Sequence, residues 1–321
     1  MATLVFLEHH EGELQKGSLG ALCKASELGG DDVAAVVLGS GVEELAKGAG
    51  GFGAGTVFVA DDPAFEKPLP QPRVDALAQL VGEQGFDTIL FAASVLSADV
   101  AAGLAARLDA GLNWDLVDLV SEDGRLVGKR PALGDTVVAD VGWTAAPRIA
   151  LFRSGALEPK ETGGEADVRT FDPRLEDFSS AAVMVEQAHE ESTGPSIEDA
   201  DVIVAGGRGL GGPEKFTLVE ELAQALGGAV AATRAVVDSG WYPYSAQVGQ
   251  TGRSVAPKLY VACGISGAIQ HKVGMQSSST IVAINKDPNA PIFDFADLGV
   301  VGDLNEIVPK LTELVRARRG R

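Results

Sequence analysis

Residues 206–212 read GGRGLGG, and Gly207, Gly209 and Gly212 satisfy the spacing GxGxxG. The segment follows an apolar run at 201–205 that reads as a strand, and it precedes a helical pattern over 213–226. Strand, glycine turn and helix in that order suit diphosphate binding: glycines let the backbone approach an anion, and free N–H groups at a helix start attract it. An NAD site also needs a carboxylate roughly 20 residues on, at the end of the second strand, to hold the ribose hydroxyls. Ala232-Thr233-Arg234 stands there instead. The missing acid counts against a pyridine-nucleotide enzyme, which remains the alternative, and the arginine favours a ligand that brings negative charge.

Two further segments have the composition of ligand-touching loops. Gln247-Val248-Gly249-Gln250-Thr251, continuing to Arg253, sets short donors and acceptors between glycines without a helix or strand period. Ser266-Gly267-Ala268-Ile269-Gln270-His271 forms a second glycine-rich turn after a strand at 258–262. Ligands of open α/β sheets bind at the carboxyl ends of strands, and Asn285, Asp303 and Leu304 follow strand runs at 280–285 and 299–301 in the same way. Isolated histidines usually sit on the surface or are satisfied in a core, and His9, His10 and His189 are read so. His271, behind a glycine turn and next to Gln270, is read as a ligand neighbour.

These residues need a frame that brings six separated segments together. The first half alternates strand runs at 3–7, 33–38, 56–59 and 88–91 with helical patterns at 19–28, 42–47, 73–83 and 98–108, the signature of a mostly parallel sheet flanked by helices. From 116 the pattern turns to strands alone, at 116–120, 126–130, 136–141 and 148–152, with a turn at 122–124. That predicts a β meander closing the first domain. Residues 155–180 read as an exposed connection, and 182–185 as one more strand. A second alternating series then runs from 201 to a final amphipathic helix over 305–318. The expectation is an α/β protein of two domains: an N-terminal parallel-sheet domain with a meander at 1–180, and a doubly wound C-terminal domain at 197–321.

Composition narrows the function classes. The 321 residues hold 45 acidic and 26 basic side chains, a formal net charge of −19. Such a surface repels phosphate backbones, so nucleic acid is excluded as a partner. No apolar stretch reaches the roughly 18–20 residues a membrane helix needs, so no membrane insertion is expected. Cys23 and Cys263, far apart and without a CxxC or Cys/His cluster, indicate neither a disulfide framework nor a zinc site. With no leader pattern at the start, a cytoplasmic location is expected.

Taken together, GGRGLGG at 206–212, ATRAVVDSGW at 232–241, QVGQTGR at 247–253, GISGAIQH at 264–271, IVAINKDPNAPIF at 281–293 and DL at 303–304 resemble the C-terminal half of electron-transfer flavoprotein α subunits. The first half resembles the same family more loosely, through Glu8-His9 and the region from Asp109 to Asp118. The resemblance implies one FAD in the C-terminal domain. It also implies a heterodimer with a β subunit that carries AMP, and electron transfer from acyl-CoA and related dehydrogenases to a quinone reductase, as in fatty acid β-oxidation. By the same resemblance Arg208, Thr233, Gln247, Val248, Gly249, Gln250, Thr251, the turn from Ser266 to His271, Asn285, Asp303 and Leu304 touch FAD. Arg234 corresponds to an arginine over the isoalloxazine, Thr251 to a hydroxyl near N5, His271 to a neighbour of the C2 carbonyl, and Gln270 to a contact with the ribityl or diphosphate. No nucleophile with a base and no general acid–base pair is visible, which suits an electron carrier rather than an enzyme.

Overall fold

A computed structural model describes residues 2–10, 12–29, 32–133, 135–186, 196–197 and 200–319. The chain divides into two compact units, Met1–Gln187 and Ala188–Arg321. The position of His189 lies outside the described residues.

In the first unit the chain runs β1 (Thr3–Leu7), β2 (His9–His10), β3 (Glu13–Leu14), α1 (Lys16–Gly29), β4 (Val33–Gly39), α2 (Glu43–Lys47), β5 (Thr56–Asp61), α3 (Pro70–Gln84), β6 (Thr88–Ala92) and α4 (Val95–Leu108). It continues with β7 (Gly111–Leu116), β8 (Asp118–Glu122), β9 (Arg125–Ala132), β10 (Val137–Val141), β11 (Arg148–Phe152) and β12 (Asp167–Thr170). Seven of these strands form one parallel sheet in the order β12-β5-β4-β1-β6-β11-β7. Every residue of β1 and β4 is buried, because helices cover both faces and such strands read as unbroken apolar runs. Alternate residues serve the two faces. Leu4 and Phe6 pack with Val74, Leu77 and Leu80 of α3 and Val100 and Leu104 of α4, while Val5 and Leu7 pack with Ala21, Leu22 and Ala25 of α1. Each fully buried Leu, Val or Phe contributes about 1.5–3 kcal/mol.

Four expectations for this half need correction. Residues 116–120 are not one strand: Leu116 ends β7 in the large sheet and Asp118 opens β8 in a small one, while Asp115, with a left-handed backbone of φ 63°, sits at the register shift near the end of β7. The meander is confined to β8, β9 and β10. The segment at 148–152 lies parallel between β6 and β7 instead, and its run of four buried residues belongs to a covered parallel strand. The meander therefore replaces a helix as the crossover between β7 and β11. The stretch at 155–180 is more than an exposed connection: β12 adds an edge strand beside β5, and buried Asp75 accepts hydrogen bonds from Ser179 Oγ at 2.5 Å and Glu176 N at 2.8 Å. No strand forms at 182–185, where Val183 and Val185 are exposed.

The second unit holds β13 (Val202–Gly206), α5 (Phe216–Leu226), β14 (Ala229–Thr233), α6 (Arg234–Val237), β15 (Gln247–Val248), β16 (Leu259–Cys263), α7 (Ile269–Met275), β17 (Ile281–Asn285), β18 (Leu298–Val301) and α8 (Leu304–Arg319). Its six strands are parallel, in the order β15-β14-β13-β16-β17-β18. That is a doubly wound sheet whose winding reverses between β13 and β16. Phe216, Val219 and Leu222 of α5 and Val308 of α8 cover one face; Met275, Ile292 and Tyr260 fill the other.

Candidate functional site

Because all six strands of the second unit point the same way, their carboxyl ends share one edge, and the candidate residues are carried there. β13 ends before Arg208, β14 ends on Thr233 with Arg234 opening α6, and β15 is Gln247 and Val248 themselves, paired with Ala232 and Thr233. Beyond β15 come Gly249, Gln250 and Thr251; beyond β16 come Ser266, Gly267 and Ala268, with Ile269, Gln270 and His271 opening α7. Asn285 ends β17, and Asp303 and Leu304 follow β18.

These residues divide into anchors and presented groups. Gln247, Val248, Gly249, Gly267, His271 and Leu304 are buried, whereas Arg208, Arg234, Gln250, Thr251, Ser266, Ala268, Ile269, Gln270 and Asp303 are exposed. Gln247 Nε2 donates to the Thr251 carbonyl at 3.0 Å and to Thr251 Oγ1 at 3.2 Å, and Tyr244 Oη donates to the same carbonyl at 2.9 Å. Gln250 N donates to Gln270 O at 2.7 Å, which ties the two loops together. Gly267, φ 89°, has no room for a side chain: a Cβ there would stand 2.3 Å from Ile292 N. Asn285 is committed within the protein, donating from Nδ2 to Ile265 O at 2.9 Å and accepting from Asp287 N at 3.0 Å. Arg234 forms an exposed ion pair with Asp238, Nε to Oδ2 at 3.2 Å.

Several N–H groups of the glycine loop at 206–212 are committed within the protein. Gly207 N donates to Cys263 O and Gly209 N to Gly264 O, both at 2.9 Å, while Leu210 N and Gly211 N are used inside the turn. A Cβ on Gly207 would lie 2.3 Å from Gly264 O, and one on Gly209 2.6 Å from the same atom. These glycines are required by the contact between the loops that follow β13 and β16. A short 3-10 turn, Pro213–Lys215, precedes α5, and the Glu214 carboxylate lies against Gly212.

His271 is enclosed by partners. Its Nδ1 lies 3.0 Å from Val248 O and its Nε2 3.0 Å from Tyr260 Oη. Burial pushes the imidazole pKa down to about 4, against a smaller opposing effect of the Val248 carbonyl, so the ring is neutral at pH 7. Burial also pushes the Tyr260 phenol up and the Cys263 thiol up to about 12. At the opposite end of the rim the Asp303 carboxylate accepts from Asn305 N at 2.8 Å and Asn305 Nδ2 at 2.7 Å, and these bonds hold its pKa below the usual value.

Comparison with known proteins settles the family. Residues 3–175 match the Electron transfer flavoprotein domain, and residues 196–276 match the Electron transfer flavoprotein FAD-binding domain. An Electron transfer flavoprotein subunit alpha of Mycobacterium tuberculosis is 42% identical over 319 residues, covering 99% of both chains. One of Thermoanaerobacterium thermosaccharolyticum is 40% identical and covers 97% of each, and Protein FixB of Clostridium saccharobutylicum is 39% identical over 96% of this chain and 94% of its own. The chain belongs to the electron transfer flavoprotein α-subunit family. Members of this family are electron carriers, not catalytic enzymes.

The second unit of this flavoprotein subunit carries a donor set that suits a flavin dinucleotide. Two exposed guanidinium groups, Arg208 and Arg234, can pair with anionic groups, and the Thr251 and Ser266 hydroxyls and the Gln270 amide can serve ring and sugar heteroatoms. Sequence reading passed over Tyr260 and Tyr244. Tyr260 sits inside an apolar strand run, where an aromatic residue gives no sign that its hydroxyl has a partner, and Tyr244 reaches the Thr251 carbonyl only after the chain has turned back.

Proposed function

We propose that this chain binds one FAD at the carboxyl rim of its second unit and pairs with an electron transfer flavoprotein β subunit that carries AMP. In the cell it conveys electrons from acyl-CoA and related dehydrogenases to a quinone reductase of the respiratory chain, as in fatty acid β-oxidation, and it works in the cytoplasm. The observation that carries this reading is the match of residues 196–276 to the FAD-binding domain, on the unit whose exposed rim residues have the donor chemistry of a flavin site. Near-full-length likeness to α subunits supports the β partner, and two buried, unbridged thiols suit a reducing compartment. Among the described residues no helix is long and apolar enough to cross a membrane.

In this reading Arg208, Thr233, Gln247 to Thr251, Ser266 to His271, Asn285, Asp303 and Leu304 hold the dinucleotide. Arg234 lies against the isoalloxazine, Thr251 near N5, His271 near the C2 carbonyl and Gln270 at the ribityl or diphosphate. Bound flavin supplies one- and two-electron redox chemistry that side chains lack. The Arg234 guanidinium contributes a fixed positive charge where reduction adds a negative one. The Thr251 hydroxyl can hold a hydrogen bond at N5, and the Gln247 amide fixes that hydroxyl's position. Expression of this chain with its β subunit, followed by absorption spectroscopy, tests the proposal: one FAD per heterodimer is expected, and a colourless complex that takes up no added FAD would refute it.

A further inference from the structure

The buried polar atoms behind the rim form a directed chain. Tyr260 in β16 is wholly enclosed, and a buried hydroxyl is costly unless hydrogen-bonded. Its oxygen meets His271 Nε2 at 3.0 Å, and His271 Nδ1 meets the Val248 carbonyl at 3.0 Å. A carbonyl only accepts, so Nδ1 carries the hydrogen; a neutral ring then leaves Nε2 as an acceptor, and the Tyr260 hydroxyl donates to it. Val248 leads directly into Gly249, Gln250 and Thr251. Those residues lie against the start of α7, where Gln250 N reaches Gln270 O and a Cβ on Gly249 would stand 2.8 Å from the same oxygen.

We propose that Tyr260 is a positioning residue of the cofactor site: by donating to His271 Nε2 it locks the Nδ1–H imidazole, which fixes the Val248 carbonyl and sets the loop bearing Thr251 against the turn bearing Ser266 and Gln270. The inference rests on the FAD reading above and deepens it. With both ring nitrogens committed, His271 acts as a strut between two ligand-facing loops, and offers its own nitrogen to a ligand only by surrendering Tyr260. Protonation of Nε2 would reverse that hydrogen bond and leave the Tyr260 hydrogen without this acceptor. The titratable groups on the segments packed about the ring are Tyr260 and Cys263 of β16, Lys272 of α7 and Arg253, which is exposed on the segment bridged to Val248. The first two are buried and neutral, and the Lys272 ammonium lies 5.0 Å from the centre of the Phe295 ring. No charged side chain contributes to the downward pKa shift of His271.

The test uses the full-length chain in its purified flavoprotein complex. Nitrogen-15 spectra of labelled histidine should show a neutral His271 with a pyridine-like Nε2 from pH 8 down to pH 5. Tyr260→Phe should shift that Nε2 signal, let the ring titrate at higher pH, and weaken FAD binding by about tenfold, the worth of one buried hydrogen bond. His271→Asn should weaken FAD binding similarly, and the double variant should be no weaker than His271→Asn alone, because Tyr260 acts through His271. Any of three results would overturn the proposal: a wild-type ring that is protonated or carries its hydrogen on Nε2, FAD affinity of Tyr260→Phe within twofold of wild type, or a Tyr260→Phe effect that persists in full beside His271→Asn. A wild-type complex that binds no FAD would defeat the flavin reading separately, and the histidine spectrum would still decide the tautomer lock.

Discussion

His271 and Arg234 occupy the same rim in opposite environments, and their expected behaviour differs accordingly. His271 is buried, with its pKa pushed down to about 4, against about 6.5 in an unfolded chain. Between those values the unfolded chain binds the extra proton, so the stability that neutral His271 provides is complete above pH 6.5 and is lost as pH falls toward 4. The full loss is about 3 kcal/mol. Denaturant titrations at pH 7 and pH 4.5 should therefore show wild type losing about 2 kcal/mol more than His271→Asn; equal losses would mean the imidazole is protonated in the folded state. Arg234 is exposed and its pair with Asp238 is solvent-screened, and such pairs contribute about 0–1 kcal/mol to stability. Arg234→Ala should leave melting nearly unchanged. If the guanidinium stands beside the flavin, the first reduction potential should fall by roughly 40 mV, the equivalent of about 1 kcal/mol of screened Coulomb attraction. Arg234→Lys should keep part of the effect. Spectroelectrochemical titration decides, and a potential within about 10 mV of wild type removes Arg234 from the flavin.

At the scale of elements, the glycine loop after β13 distinguishes a phosphate cradle from a packing joint. Gly207 and Gly209 donate to the carbonyls of Cys263 and Gly264, so the two loops flanking the reversal of the sheet brace each other. Gly207→Ala places a methyl group 2.3 Å from Gly264 O, and no flexible side chain is available to yield. A loss of about 2 kcal/mol or more is expected from the overpacking, and it should appear in the absence of FAD. If cofactor-free Gly207→Ala unfolds at the wild-type denaturant concentration, the glycine serves the ligand instead.

For the whole molecule, the first unit leaves apolar side chains uncovered beside and on its meander. Trp114, Leu133, Val137 and Val138 are exposed, by 55%, 81%, 46% and 58%, and only Trp114 is flanked by a cation, Arg130, at 4.7 Å among the described contacts. Exposed apolar groups clustered in this way mark interaction surfaces, and a permanent heterodimer buries roughly 2,000 Å² or more. Val138→Asp should weaken association with the β subunit at least tenfold while the far-ultraviolet circular dichroism of the isolated chain is unchanged. Analytical ultracentrifugation of the mixture measures this, and an undiminished heterodimer would place the partner elsewhere.

Periodicity along the chain determined the alternation of strands and helices, the α/β class, and which residues stand just past a strand: Arg208, Arg234, Ser266 and Asp303 were legible because element type is written in local pattern and glycine punctuation, whereas Gln247 to Thr251 read as a loop and the two-residue strand β15 within it left no period. Their gathering at one rim followed once the strands were parallel. Which strands are neighbours was not legible. The segment at 148–152 follows three antiparallel strands with no helix between, yet it enters the large parallel sheet, because pairing depends on a distant apolar slot between β6 and β7 that only the folded chain creates. The same limit applies within the site. GxGxxG announces backbone crowding but not what crowds it, and here the neighbour is Gly264, 57 residues on. The charge state of His271 depends on burial and on Tyr260 and Val248, which meet it across three separate elements. Hydrogen-bond partners and desolvation are properties of proximity in space, and for these residues the tertiary structure alone supplied it.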